Sequence, residues 1–413
     1  MPHIIPFRAI RPERSKAALT ATRSYITYTD EEREDKLKNN PYSFMRIIHP
    51  PGSEKLSGEE KFLKVREAFL NYLQEGDLIK EDQPAFYIYE QSYGNHIFKG
   101  IIAGISVDDY NNGKIKKHEH TLTNREKMFK EYLQTTQLNA EPVLLTYSRQ
   151  KEIDDCIARY EQTRPEYEFT TTDHHTHKLW IVQKREDIDL LQNAFRKLDS
   201  VYIADGHHRS ASSALLGNEK RGGAQSGSDQ KLPTDYFSAY LISDHNLEIK
   251  PFYRGVKFKK TLSPDAFLKQ IKKSFDVECK NETPVEPVET HKTGLYIEGL
   301  WYEISPKKGT YDENNPVEIL DCHILSTRIF RDILGVKDEK TDANIQFIPA
   351  VNGVQSMVDC VNRGEYKAGF VPPPVKVDQL KKVADHNLIM PPKSTWVEPK
   401  LRSGLVIYDI NEF

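Results

Sequence analysis

At 413 residues the chain is long enough for two or more domains with cores of their own. Its 38% hydrophobic and 29% charged residues, with a mean hydropathy of -0.64, describe a soluble globular protein, and no window of about 18 apolar residues offers a membrane span. A net charge of -3 and a pI near 6.6 argue against a nucleic-acid binder, because affinity for a phosphate backbone is supplied by excess Lys and Arg.

The four cysteines, Cys156, Cys279, Cys322 and Cys360, are widely separated and form no C-x-x-C pair. Reduced thiols are therefore expected, not a zinc site or a disulfide framework. The opening stretch MPHIIPFRAIRPE has no apolar region behind a basic start, which makes the cytoplasm the expected compartment.

In chain order, Ile4 and Ile5 read as a short strand, and TDEEREDKLKNN as a charged, helix-prone run leading to Asn40-Pro41-Tyr42. Apolar residues at helical spacing (Phe62, Val65, Phe69, Leu70, Leu73) make Ser57 to Gly76 an amphipathic helix. Two strands follow, Ala85 to Glu90 and His96 to Val107, turned by Ser92-Tyr93-Gly94-Asn95. Gly100 and Gly104 inside the second strand suggest a bulge or a close approach by another backbone. Thr123 and Glu126 have capping-box spacing for a helix that runs to about Leu133, which leaves His118 and Glu119 in the loop ahead of it.

Further on, Glu141 to Tyr147 reads as a strand, Glu152 to Tyr160 and Glu186 to Leu198 as helices, and Lys178 to Gln183 as a strand. Asp173-His174-His175-Thr176-His177 is not expected to bind metal, since alternate positions leading into a strand point to opposite faces. Gly217 reads as a helix stop, and the Gly- and Ser-rich 218–231 stretch as a mobile loop. Asp235 to Ser243 and Leu247 to Phe258 read as strands, and Val317 to Leu334 as one strong amphipathic helix. The expected class is α+β, in three parts: an N-terminal region 1–112, a nucleotide-binding core 113–258, and a C-terminal region 259–413 of additional mixed α/β elements.

The organising stretch is Val201 to Gly217, VYIADGHHRSASSALLG: a short strand, a sharp turn at Asp205-Gly206, and a helix from His207. A strand that turns straight into a helix aims unpaired backbone N–H groups and the positive end of the helix dipole outward, a ready anion site. This one also carries two imidazoles, a guanidinium and a carboxylate within five positions, a set able to grip phosphate with a divalent metal beside it. A polar cap with no ligand is the structural alternative.

Asp205-Gly206-His207-His208-Arg209, with Ala204 in front and Ala211 and Ala214 behind, resembles the signature of the ParB/sulfiredoxin superfamily, and most closely that of its free serine kinases. It is also similar to a large bacterial and protist family of a domain of unknown function. The same family has segments similar to Asn40-Pro41-Tyr42, Tyr253-Arg254 and the run Met390-Pro391-Pro392-Lys393-Ser394-Thr395-Trp396-Val397-Glu398-Pro399-Lys400-Leu401 with Gly404 shortly after, the family usually having an aromatic where this chain has Val397. The resemblance implies a ParB/sulfiredoxin-like core, and places a catalytic Glu at the position of Glu119 in a His-Glu loop.

The implied activity is an ATP-dependent kinase of free L-serine, with ATP or ADP and Mg²⁺ as cofactors and a homodimer compatible with it. Glu119 and Asp205 are its expected catalytic residues, with Asp205 holding Mg²⁺ or orienting the hydroxyl. Gly206, His207, His208, Arg209 and His118 are expected to hold the nucleotide, and Lys393, Ser394 and Thr395 the serine. The alternative is a non-catalytic nucleotide-binding regulatory protein of the ParB-like type. No Walker loop and no protein-kinase motif set occurs in the chain.

Overall fold

The computed structural model describes residues 1–24, 27–223, 231–258 and 261–411. These form a mixed α+β protein in two compact units, Met1–Leu247 with Pro399–Phe413, and Glu248–Glu398. No helix among the described residues is long and apolar enough to cross a membrane.

The first unit is built on one nine-stranded sheet. Across it run Ile115–Lys116, Val201–Asp205, Val143–Tyr147, Tyr236–Ser243, His96–Ser106, Phe86–Tyr93, Thr176–Val182 and Tyr167–Thr170, with Ile4–Ile5 also paired to His96–Ser106. The boundary expected at 112/113 therefore falls inside one sheet, since strands from both sides of it pair directly. Most neighbours are antiparallel, but Val201–Asp205 runs parallel to Ile115–Lys116, and Val143–Tyr147 parallel to Tyr236–Ser243. Ile101, Ala103, Leu145, Val201, Ile203, Phe237 and Leu241 fill one core with Ala214 and with Leu191 and Phe195 of the helix Arg185–Arg196. The close approach expected at Gly100 is present: a Cβ there would press on the Leu241 carbonyl oxygen and the Tyr240 ring.

Several local expectations change. The helix from His207 does not stop at Gly217 but continues to Gly223, so 218–223 is helical, and residues 224–230 of the expected loop lie outside the described residues. Gly217 is present for space, since a Cβ there would run into the Thr234 carbonyl oxygen and the Val107 side chain. The helix Thr123–Thr136 starts without the expected capping box, its N-cap being Leu122, and Glu126 is instead met by the Thr121 hydroxyl.

The second unit has its own six-stranded antiparallel sheet, in the order Phe275–Asn281, Leu300–Pro306, Thr293–Ile297, Ala368–Val371, Phe252–Val256 and Ile345–Pro349. Phe267, Leu295, Ile304, Ile329, Phe330 and Phe370 make its core. A separate pair joins Glu248–Lys250 to Trp396–Glu398. The helix expected over Val317 to Leu334 is shorter and changes winding. An α-helical turn, Asp321–Leu325, passes into a π-helix, Ser326–Arg331, because Ser326 and Thr327 turn their hydroxyls back onto the carbonyls of Cys322 and His323.

Candidate active site at the strand-to-helix turn

The parallel pairing of the two strands at the sheet edge decides what meets at this turn. Val201 lies opposite Ile115 and Tyr202 opposite Lys116. Both chains leave the sheet at their carboxyl ends, the place where α/β sheets commonly collect their ligands. Counting three residues past the matched pair Lys116 and Tyr202 gives Glu119 on one chain and Asp205 on the other. Sequence-distant carboxylates are thereby delivered to one end of the sheet.

Gly206 makes the turn with φ of +99°, a conformation that L side chains rarely adopt, and a Cβ there would stand 3.1 Å from the Arg209 guanidinium. The helix then begins at His207, with Ser210 N–H donating to the Gly206 carbonyl at 3.0 Å. Arg209 folds back over the turn. Its Nη2 donates to Asp205 Oδ2 at 3.1 Å and its Nη1 to the carbonyls of Glu141 and Pro142 at 3.1 and 2.7 Å, with Glu141 Oε2 3.7 Å away. On the other carboxylate oxygen, Lys400 Nζ stands 3.6 Å from Asp205 Oδ1.

His118 and His207 are both buried and meet edge to face, their ring centroids 4.6 Å apart. His207 Nδ1 points at Glu119 Oε2 across 3.6 Å, while the Glu119 side chain is 57% exposed. Neither His118 Nδ1 nor His207 Nε2 has a hydrogen-bond partner among the described residues. Burial pulls His118 down to about 4, and burial together with the neighbouring His118, His208 and Lys117 charges holds His207 well below the usual imidazole range. Both rings are neutral at physiological pH. His207 is thus a packed, uncharged ring beside the turn.

Asp205 carries the expectation of a divalent-metal ligand. Each of its oxygens faces a cation instead, and no group of three or more His, Cys, Asp or Glu side chains among the described residues is arranged to hold a metal ion. This donor set does not fit a resident Mg²⁺, so magnesium enters the chemistry below only as part of a Mg·nucleotide substrate.

The Lys393-Ser394-Thr395 loop belongs to the second unit. There it is a pinned bend: Lys393 has φ of +51°, and its carbonyl accepts from Nη2 of the fully buried Arg254 at 3.1 Å. Ser394 is buried, donates to the Pro391 carbonyl at 2.7 Å and accepts from the Cys322 thiol at 3.2 Å, so its hydroxyl is spent within the loop. Lys393 is exposed with its ammonium over the Phe252 ring.

Sequence reasoning assigns no role to Lys400 or Glu141. Lys400 follows the Pro-flanked Lys-Ser-Thr run by a few positions, and that adjacency is the available signal. Glu141 offers none, because its one hydrogen bond to Arg209 is made by its backbone carbonyl, its carboxylate standing farther off.

The model of a family described as "Protein of unknown function (DUF1015)" matches residues 4–323. No curated protein sequence matches the chain. Among solved structures, a free serine kinase in complex with AMP is similar at 13% identity and a TM-score of 0.36, covering 76% of this chain and 91% of that one. A conserved hypothetical protein from Pyrococcus furiosus is similar at 13% identity and a TM-score of 0.34, covering 74% and 94%. SbnI with a C-terminal truncation, from Staphylococcus aureus, is similar at 11% identity and a TM-score of 0.37, covering 74% and 85%.

Proposed function

We propose that this chain, which belongs to the DUF1015 family, is a small-molecule kinase that moves the γ-phosphate of ATP onto the hydroxyl of free L-serine to give O-phospho-L-serine. The observation that carries the reading is the parallel register that brings Glu119 and Asp205 to the same end of the sheet, Glu119 beside His207 and Asp205 at the start of the 205–209 turn. Phosphoryl transfer asks a protein chiefly for positioning and for charge, with a base to orient and deprotonate the acceptor.

In this reading Glu119, beside His207 and more than half exposed, takes the proton of the serine hydroxyl. Asp205 orients that hydroxyl. The backbone N–H groups from Gly206 to Arg209, with the His208 and Arg209 side chains, hold the phosphates. The serine oxygen forms its bond to Pγ as the bond from Pγ to the bridging oxygen of ADP breaks. The same roles serve ADP as donor, with AMP leaving. A ParB/sulfiredoxin-like nucleotide core is, in the same reading, the first unit.

The test is incubation of the purified protein with Mg·ATP or Mg·ADP and a panel of free amino acids, followed by phosphorus NMR. A phosphomonoester resonance with L-serine is expected. No transfer to serine, homoserine or threonine from either nucleotide would overturn the reading.

A further inference from the structure

We infer that Lys400 is a phosphate-contacting residue of the nucleotide subsite, held ready by Asp205; the inference rests on the kinase reading above and adds to it a residue from the far end of the chain. The first observation is the division of labour around one carboxylate. Asp205 takes Arg209 on Oδ2 at 3.1 Å and Lys400 on Oδ1 at 3.6 Å. Arg209 is held in place: its Nη1 is fixed on the Glu141 and Pro142 carbonyls, with the Glu141 carboxylate nearby, so it meets the phosphates as a rigid part of the turn. Lys400 meets Asp205 at a distance longer than a hydrogen bond, on a four-carbon stem that is a third exposed. The reach of that stem lets the ammonium pass from Asp205 to an incoming phosphate oxygen.

The second observation is how firmly the backbone beneath Lys400 is tied to the first unit. Two residues on, buried Arg402 holds both oxygens of Asp173 at 2.9 and 2.7 Å. Ser403 exchanges backbone hydrogen bonds with Thr22, and Gly404 donates to the Ala140 carbonyl, next to the Glu141-Pro142 pair that grips Arg209. Gly404 sits at φ of +84°, where a Cβ would collide with the Phe44 ring. The segment is thus a fitted strap whose anchors deliver one ammonium to the turn.

The experiment is calorimetric titration of the full chain with ADP and with adenosine, at two ionic strengths, for wild type, Lys400→Ala, Lys400→Gln and Lys400→Arg. Thermal melts establish that each variant is folded. The Ala and Gln variants are expected to bind ADP about tenfold or more weakly, as befits loss of one charge-assisted phosphate contact, with a shallower salt dependence. Adenosine binding should not change, and Lys400→Arg should keep most of the ADP affinity. Wild-type affinity for ADP in both neutral variants would overturn the inference alone. A wild-type protein that binds no ADP would overturn the kinase reading and the inference with it, a result that cannot be confused with the former.

Discussion

His207 Nδ1 stands 3.6 Å from Glu119 Oε2, the imidazole buried and the carboxylate more than half exposed. A neutral ring beside it and a side chain more than half exposed leave the Glu119 charge unburied. In the proposed kinase that is the arrangement for a base that must meet a mobile small substrate.

Glu119→Gln keeps the shape and removes the basicity. Phosphotransfer is expected to fall by about 10²–10⁴-fold, the usual scale for losing a general base, with nucleotide affinity nearly unchanged. Single-turnover kinetics beside nucleotide titration separates the two. A variant that loses nucleotide affinity in step with turnover would assign Glu119 to binding instead.

Asp205→Asn is expected to act the opposite way on the two measurements. Removing the anion that Arg209 and Lys400 both face leaves two cations with less to hold them, so ADP should bind as well as to wild type or more tightly. Turnover should drop by about 10²-fold or more if Asp205 orients the acceptor hydroxyl. An unchanged turnover would reduce Asp205 to a cap of the turn.

The buried imidazoles make a prediction about acid stability. In the folded protein burial lowers His118 to about 4 and His177 to about 3, against an ordinary value of 6.5 in the unfolded chain. Between those limits the unfolded state binds more protons than the folded one, so stability falls as pH drops from 6.5 toward 4, by up to about 1.4 kcal/mol per pH unit for each group. His118→Gln should flatten that decline by one group's share. Denaturant titrations of wild type and variant from pH 7.5 to pH 4.5 test this, and equal slopes for the two proteins would contradict it.

What is legible in the sequence follows from how local each feature is. The hairpin strands, the helix Arg185–Arg196 with Ile188, Leu191 and Phe195 inward, and the Val201 strand running into a helix at His207 are short-range patterns, and each is present. What brings Glu119 to Asp205 is not local, since it depends on Ile115–Lys116 choosing Val201–Asp205 as a parallel partner across some 80 residues of intervening chain. Lys400 is harder still to foresee, because its place is set by Arg402, Ser403 and Gly404 finding partners at Asp173, Thr22 and Ala140. Helical spacing over Val317 to Leu334 takes no account of the Ser326-Thr327 pair, whose back-bonded hydroxyls favour wider winding. His207 reads as a ligand from its neighbours in sequence, and its neighbour in space, His118, comes from the loop that leaves the adjoining strand.

Gly217 separates a local reading from a tertiary one by experiment. As a helix stop it would tolerate alanine poorly for want of a left-handed conformation; as an ordinary mid-helix glycine, alanine would stabilise by about 0.5–1 kcal/mol. The structure allows neither outcome. Gly217 lies inside the continuous helix His207–Gly223, where no left-handed backbone is required, yet a methyl group there would meet the Thr234 backbone carbonyl and the Val107 side chain. A backbone oxygen cannot rotate away as a side chain can, so the helix must shift outward. Gly217→Ala is therefore expected to destabilise by about 1–3 kcal/mol despite its better helix propensity. Because the same helix carries the 205–209 turn at its start, ADP affinity should fall as well. Val107→Ala made alongside should recover only a small part of the loss, since the backbone contact remains; full recovery would place the strain on the Val107 side chain and rule out the Thr234 carbonyl as the cause of the glycine requirement.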